Sequence, residues 1–222
     1  PPTIPPVVAF SELGWEPNAQ VGAVIRTRWT QDVAATVHVA YSVDPGEWRS
    51  TPAFAAGAGP QTQVVVGLPY GATVAWRVEV DGGDSTADGP PIAVEPVPAD
   101  LPLPEMELSD PPGWDPAGHF LLTSLKQQGP GWEGGDWWVF VLDRQGRPVW
   151  AQLTPDANRT LFPQVSVTGD YLLWDEATYW SAFDGGAGSI VHKTWLDAEF
   201  EQVSTPGVHH AFVELPDGTL AW

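Results

Sequence analysis

Cysteine is absent from all 222 residues, which excludes disulfide frameworks, Cys-ligated zinc and thiol nucleophiles together. Basic residues are scarce: nine Lys and Arg stand against 28 Asp and Glu, a formal charge of −19. A surface of that sign repels phosphate backbones and anionic headgroups, so no nucleic acid and no membrane surface is expected as a partner. The ordinary role of such acidity is solubility. No run approaches the ~18 apolar residues of a membrane span, and no signal peptide is visible. Methionine occurs once, at Met106, and the chain opens at Pro1, so the natural start is expected upstream. The acidic residues Asp136, Asp143, Asp175 and Glu176 lack calcium-loop spacing, and no metal is expected. Phosphate loops, dinucleotide fingerprints, nucleophile elbows and zinc motifs are also missing, so no cofactor is expected.

What is present is apolar, aromatic and rich in turns. Hydrophobic residues make up 43% of the chain, with 13 tryptophans to fill cores, beside 24 prolines and 23 glycines. Long helices have few places to form among so many breakers, and the apolar segments are short and β-branched or aromatic. The predicted fold class is all-β. "VGAVIRTRWT" from Val21, "ATVHVAYSV", "TQVVVGL", "ATVAWRVEV" and "PIAVEPV" recur at roughly ten-residue spacing, which predicts a sandwich of two antiparallel sheets. His38, in "TVHVAYS", is read as structural.

Trp29 on an early strand, and Leu68-Pro69-Tyr70-Gly71-Ala72-Thr73 leading into "VAWRVEV", resemble a fibronectin type III domain. The resemblance covers roughly residues 5 to 98 and implies a first domain over 1–98, behind the proline-rich spacer "PPTIPPVV". Val74 stands where that family usually has its corner tyrosine. Residues 94 to 114 then carry six prolines among 21 residues. Such a stretch cannot sustain a sheet interior, and a stiff linker is expected over 99–112.

Beyond the linker the sequence repeats. "GHFLLTSL", "GDYLLWDE" and "DGTLAW" place Gly118, Gly169 and Gly218 at intervals of 51 and 49 residues. Leu142-Asp143 and Leu196-Asp197 end strands 54 positions apart. A period near 50 with four short strands per unit is the pattern of β-propeller blades. The alternative is a second sandwich with similar hairpins. Residues 113–222 would hold two blades and the inner strands of a third, too few to close a propeller. The remaining blades are therefore expected from the same polypeptide or from a second chain.

The last segment, "HHAFVELPDGTLAW", sets two histidines before a hairpin built on Pro-Asp-Gly. Strand alternation prevents His209 and His210 from both facing inward on a regular strand. This segment resembles the His-His and Leu-Pro-(Asp/Asn)-Gly motif of the bacterial arylsulfotransferase family, and "VFVLDRQGRPVWAQ" is similar to that family's recurring strand-turn-strand. The resemblance covers residues 113–222. It implies nucleotide-independent sulfuryl transfer from a phenolic sulfate ester to a phenol acceptor through a sulfohistidine. It also implies that His209 and His210 contact the sulfuryl group, with the nucleophilic histidine in a later blade. Ala211 stands where the family often has an acidic residue. Imidazolium donors suit a sulfuryl group in flight, whose charge concentrates on its oxygens. The structural reading of the pair is one solvated and one hydrogen-bonded core histidine.

In "TYWSAF", Tyr179 and Trp180 are candidates for an aromatic wall against a phenol, with inter-blade packing as the plainer role. His119 and His192 are expected within blade strands as structural residues. The spacer at the head of the chain points to an extracytoplasmic location, whether periplasmic, cell-surface or secreted. A function of another class, a non-catalytic surface or binding protein on a propeller scaffold, stays open beside the transferase.

Overall fold

The computed structural model describes residues 5–105, 113, 119–127, 136–154, 160–176, 189–195, 200–205 and 212–222. Every regular element among them is a β-strand, and every strand pairing is antiparallel. Two compact units divide the chain at Pro96 and Val97.

In the first unit one sheet has the order β1 (Phe10–Pro17), β2 (Ile25–Gln31), β6 (Gly59–Val65). The other runs β4 (Trp48–Ser50), β3 (Ala35–Val43), β7 (Thr73–Val80), β8 (Thr86–Asp88), with β5 (Phe54–Ala56) also on β3 and β9 (Ile92–Ala93) also on β7. The sequence forms these strands because its apolar residues recur every second position. β2 turns Ile25, Thr27, Trp29 and Gln31 inward and Arg26 and Arg28 outward. β7 turns Val74, Trp76, Val78 and Val80 inward. These residues join Val37, Val39, Leu68 and Ile92 in one core.

Both core tryptophans satisfy their indole N–H, as a buried donor must. Trp29 donates to Gln31 Oε1 at 3.0 Å, and Gln31 in turn donates to the Val33 carbonyl at 2.9 Å. Trp76 donates to the Pro90 carbonyl at 2.8 Å. Val74 is fully buried and paired with Ile92, so that position is filled by apolar packing.

The described residues of the second unit form three sheets. β10 (Phe120–Lys126), β11 (Trp137–Asp143) and β12 (Pro148–Leu153) form the first. β13 (Gln164–Val165), β14 (Tyr171–Glu176), β15 (Ser189–Trp195) and β16 (Phe200–Thr205) form a four-stranded meander, and β17 (Val213–Glu214) and β18 (Leu220–Ala221) a hairpin. β11 buries Trp137, Trp138, Val139 and Phe140 in succession, and β14 buries Leu173, Trp174 and Asp175. Both faces of these strands are covered, which is why "WWVFVL" reads as a continuous apolar run and not an alternating one. One covering contact is explicit: Phe212 and Leu220, from the hairpin and its lead-in, pack on Leu173, Val191 and Tyr171.

The 50-residue period has a backbone counterpart. The β13–β14 turn bonds Gly169 N–H to the Ser166 carbonyl at 3.0 Å, and the β17–β18 turn bonds Gly218 N–H to the Leu215 carbonyl at 2.9 Å. Both glycines have φ of 81°, a left-handed conformation that glycine adopts without a Cβ clash. His119 is a correction to the sequence reading: it precedes β10 by one residue and is exposed.

Candidate functional site

His209 and His210 lie outside the described residues, as do Ala211, Tyr179 and Trp180. What the structure defines is the frame around both segments. The histidine pair falls between Thr205, buried at the end of β16, and Phe212. Phe212 is tied twice: its ring packs on Leu173 and Val191, and its carbonyl accepts a hydrogen bond from Gln164 Nε2 at 2.9 Å. Two residues further, Glu214 is buried and accepts from the Val167 amide at 2.7 Å and from the Tyr171 hydroxyl. The chain from Phe212 onward is therefore tied to the β13–β14 turn and to β14.

Tyr171 is the centre of that attachment. Donation to Glu214 is the main cause that pushes its phenol up to about 12, with burial next and the charges of Glu214, Glu201 and Asp170 adding to it. Each of these favours the neutral, proton-donating form. The Trp195 ring lies 5.1 Å from the Tyr171 ring, and Lys193 Nζ stands 5.5 Å from its centre.

Tyr179 and Trp180 fall in the sequence between β14, which ends at Glu176, and β15, which begins at Ser189. At those strand ends stands a pair that sequence reasoning did not assemble. His192 Nε2 lies 2.6 Å from Glu176 Oε2, and the imidazole stacks on Trp174 at 3.9 Å with 5° between the planes. The register explains it: Trp174 is opposite His192, and Glu176 is two residues beyond Trp174 on the same face. Trp174 Nε1 donates to Thr194 Oγ1 at 3.1 Å, completing a line of paired polar groups. With 3% exposure, His192 is a core residue with a satisfied ring nitrogen, and its paired Glu176 braces the facing ends of β14 and β15.

On the opposite face Asp175, 1% exposed, accepts from the Leu161 and Phe162 amides at 3.0 and 3.1 Å and from Thr160 Oγ1 at 3.3 Å, all through Oδ1. This carboxylate organises the backbone entering β13. Among the described residues no group of three or more His, Cys, Asp or Glu is placed to hold a metal ion. No helix among them is long and apolar enough to cross a membrane.

His38 also has a partner, 41 residues away in sequence. Its Nε2 is 2.9 Å from Glu79 Oε2, Arg77 Nε donates to Glu79 Oε1 at 2.5 Å, and the Arg77 guanidinium lies 4.2 Å from the centre of the Trp48 ring. Register brings this row together on the outer face of β3 and β7, and only spacing of two along each strand hinted at it. The chain matches no protein-family model, and no curated protein matches it.

Proposed function

We propose that residues 113–222 are blades of a β-propeller of the arylsulfotransferase kind, and that His209 and His210 bind the sulfuryl group of an aryl sulfate. The observation that carries this reading is the contact between the hairpin that follows the histidines and the sheet before it. Phe212 packs on Leu173 and Val191, and Glu214 accepts from Tyr171, which supports neighbouring 50-residue repeats packed one on the next. The recurring turn glycines and the four-stranded meander support the same reading. The first unit, with sheets β1-β2-β6 and β4-β3-β7-β8, supports a fibronectin type III-like domain ahead of the blades.

The chemistry is in-line transfer at sulfur. A histidine nitrogen of a later blade attacks, the S–O bond to the leaving phenolate breaks, and an N–S bond forms. The oxygen of an acceptor phenol then forms a new O–S bond as the N–S bond breaks, and its proton passes by way of the released imidazole to the phenolate set free in the first step. His209 and His210 donate to the equatorial oxygens, where charge concentrates in flight. Tyr179 and Trp180 wall the acceptor ring. The location is extracytoplasmic.

The test uses the native polypeptide that contains these residues, incubated with 4-nitrophenyl sulfate and phenol. Expected are ping-pong release of nitrophenolate and a labelled histidine, with His209→Ala or His210→Ala lowering kcat by about 10²-fold. Absence of both transfer and label ends the proposal. Ala211, which removes the carboxylate beside the pair, favours a second reading in which the scaffold binds aryl sulfates without turnover. Saturable binding of 4-nitrophenyl sulfate without product distinguishes it.

A further inference from the structure

We propose that the outer face of the β1-β2-β6 sheet carries a binding site for a small zwitterion, a free α-amino acid with an apolar side chain. The starting point is an irregularity. β1 pairs regularly with β2 except between Ser11 and Gly14, where the register shifts. Within this bulge Glu12 has a φ of 56°, a left-handed conformation that is strained for a residue with a Cβ. Bulges re-aim side chains, and strain of this kind concentrates where a side chain must point in one direction. Here the strained residue faces a groove of about 540 Å³ whose lining includes Glu12, Leu13, Arg28, Thr30, Pro60 and Thr62. That volume lies within the range of small-molecule sites.

The two charges in the groove are held differently. Glu12 is oriented by Thr30, whose hydroxyl donates to Oε2 at 2.7 Å, which leaves Oε1 to receive another donor. The Arg28 side chain makes no hydrogen bond or ion pair among the described residues. Its guanidinium lies flat over Gly14, where an added Cβ would stand 3.0 Å from Cζ, Nε and Nη2. A glycine at 14 thus makes room for an arginine that no described side chain engages, and a guanidinium fork presents several donors suited to a carboxylate.

Charge selects the ligand class. One cation and one anion line the groove within a chain of formal charge −19. A net anion meets the field of the whole chain and Glu12, and a net cation meets Arg28. A molecule bearing both charges satisfies both side chains. Arg28 and Thr30, which orients Glu12, are neighbours on one face of β2 and line the same groove. A ligand that bridges them suits opposite charges a few covalent bonds apart. An α-amino acid meets that condition. Leu13 and Pro60 supply apolar surface for its side chain, and the Thr62 hydroxyl supplies a further polar contact.

The test is an amide-shift titration of the complete 222-residue chain with three probes: L-leucine, N-acetyl-L-leucine and L-leucinamide. Leucine is expected to give saturable shifts at Arg28, Thr30 and Thr62, with either blocked compound binding about tenfold more weakly. Glu12→Gln should close the gap between leucine and N-acetyl-leucine, and Arg28→Ala the gap between leucine and leucinamide. Gly14→Ala, which displaces the guanidinium and leaves both charges in place, should weaken leucine and N-acetyl-leucine, which carry a carboxylate, and leave leucinamide unchanged. The proposal is overturned by no saturable shift with leucine, by shifts confined to other surfaces, by equal binding of the three probes, or by gaps that persist in the two charge variants.

Discussion

Replacing Asp175 by alanine tests how the second unit holds its strands. The carboxylate is 1% exposed, and its Oδ1 accepts from two backbone amides and one hydroxyl in the segment leading into β13. Hydrogen bonds to a charged acceptor contribute about 1.5–3 kcal/mol each. Leu161 and Phe162 are partly exposed, so water can reach their amides once the carboxylate is gone and recovers part of the loss. The expected net cost of Asp175→Ala is therefore about 2–4 kcal/mol. Asp175→Asn keeps an acceptor oxygen in the same place and loses only the charge assistance, for about 1 kcal/mol. Denaturant unfolding followed by tryptophan emission measures both values, because Trp174 adjoins Asp175 on the buried strand. Amide hydrogen exchange at Leu161 and Phe162 localises the effect, and should accelerate far more in the alanine variant than at Val39 or Val78 of the first unit. If alanine costs under about 0.5 kcal/mol, or asparagine costs as much as alanine, the assignment of Asp175 as a backbone organiser is wrong.

Tyr171 should lend the fold a pH-dependent contribution at the alkaline end. Its folded pKa is raised, to about 12, so the neutral form is favoured by folding; the stability is complete below the unfolded value of about 10 and is lost as pH rises from there through about 12. Unfolding measured against pH should show this decline in the parent chain and a shallower one in Tyr171→Phe; identical slopes refute it. Gly89→Ala would set a Cβ 2.1 Å from Trp76 ring atoms, and overpacking against a fully buried indole should cost about 1–3 kcal/mol, read as a drop of several degrees in the Tm of the first unit. Gly218 at φ 81° has open space around it, so Gly218→Ala should cost about 1 kcal/mol from backbone strain and Gly218→Asn distinctly less, as measured by denaturant midpoints.

Legibility in the sequence followed the range of the interaction. β2, β3 and β7 announce themselves because their alternation is local and their inward residues are large: Ile25, Trp29, Val37, Val39, Val74 and Trp76 all sit in the core the pattern implied. β4, β5 and β8 are three residues each, too short for a period to register. β1 was hidden by its own bulge, since an extra residue breaks the alternation that identifies a strand. His38 and His192 were legible as structural residues, whereas Glu79 and Glu176, the carboxylates that satisfy them, were not: each pairing depends on register across strands, which a single sequence does not state.

Composition and periodicity alone determined that this chain is all-β, that it lacks thiol chemistry, and that a 50-residue unit recurs in its second half, because all three depend on residue type and local order. Only the tertiary structure decided which polar groups share a face. Glu214 bonding Tyr171, Asp175 gathering the amides of 161 and 162, and the Arg28 guanidinium lying over Gly14 arise where strands distant in sequence fold side by side. The physical reason is that alternation fixes the side of a strand to which a residue points, while pairing register fixes what it meets there.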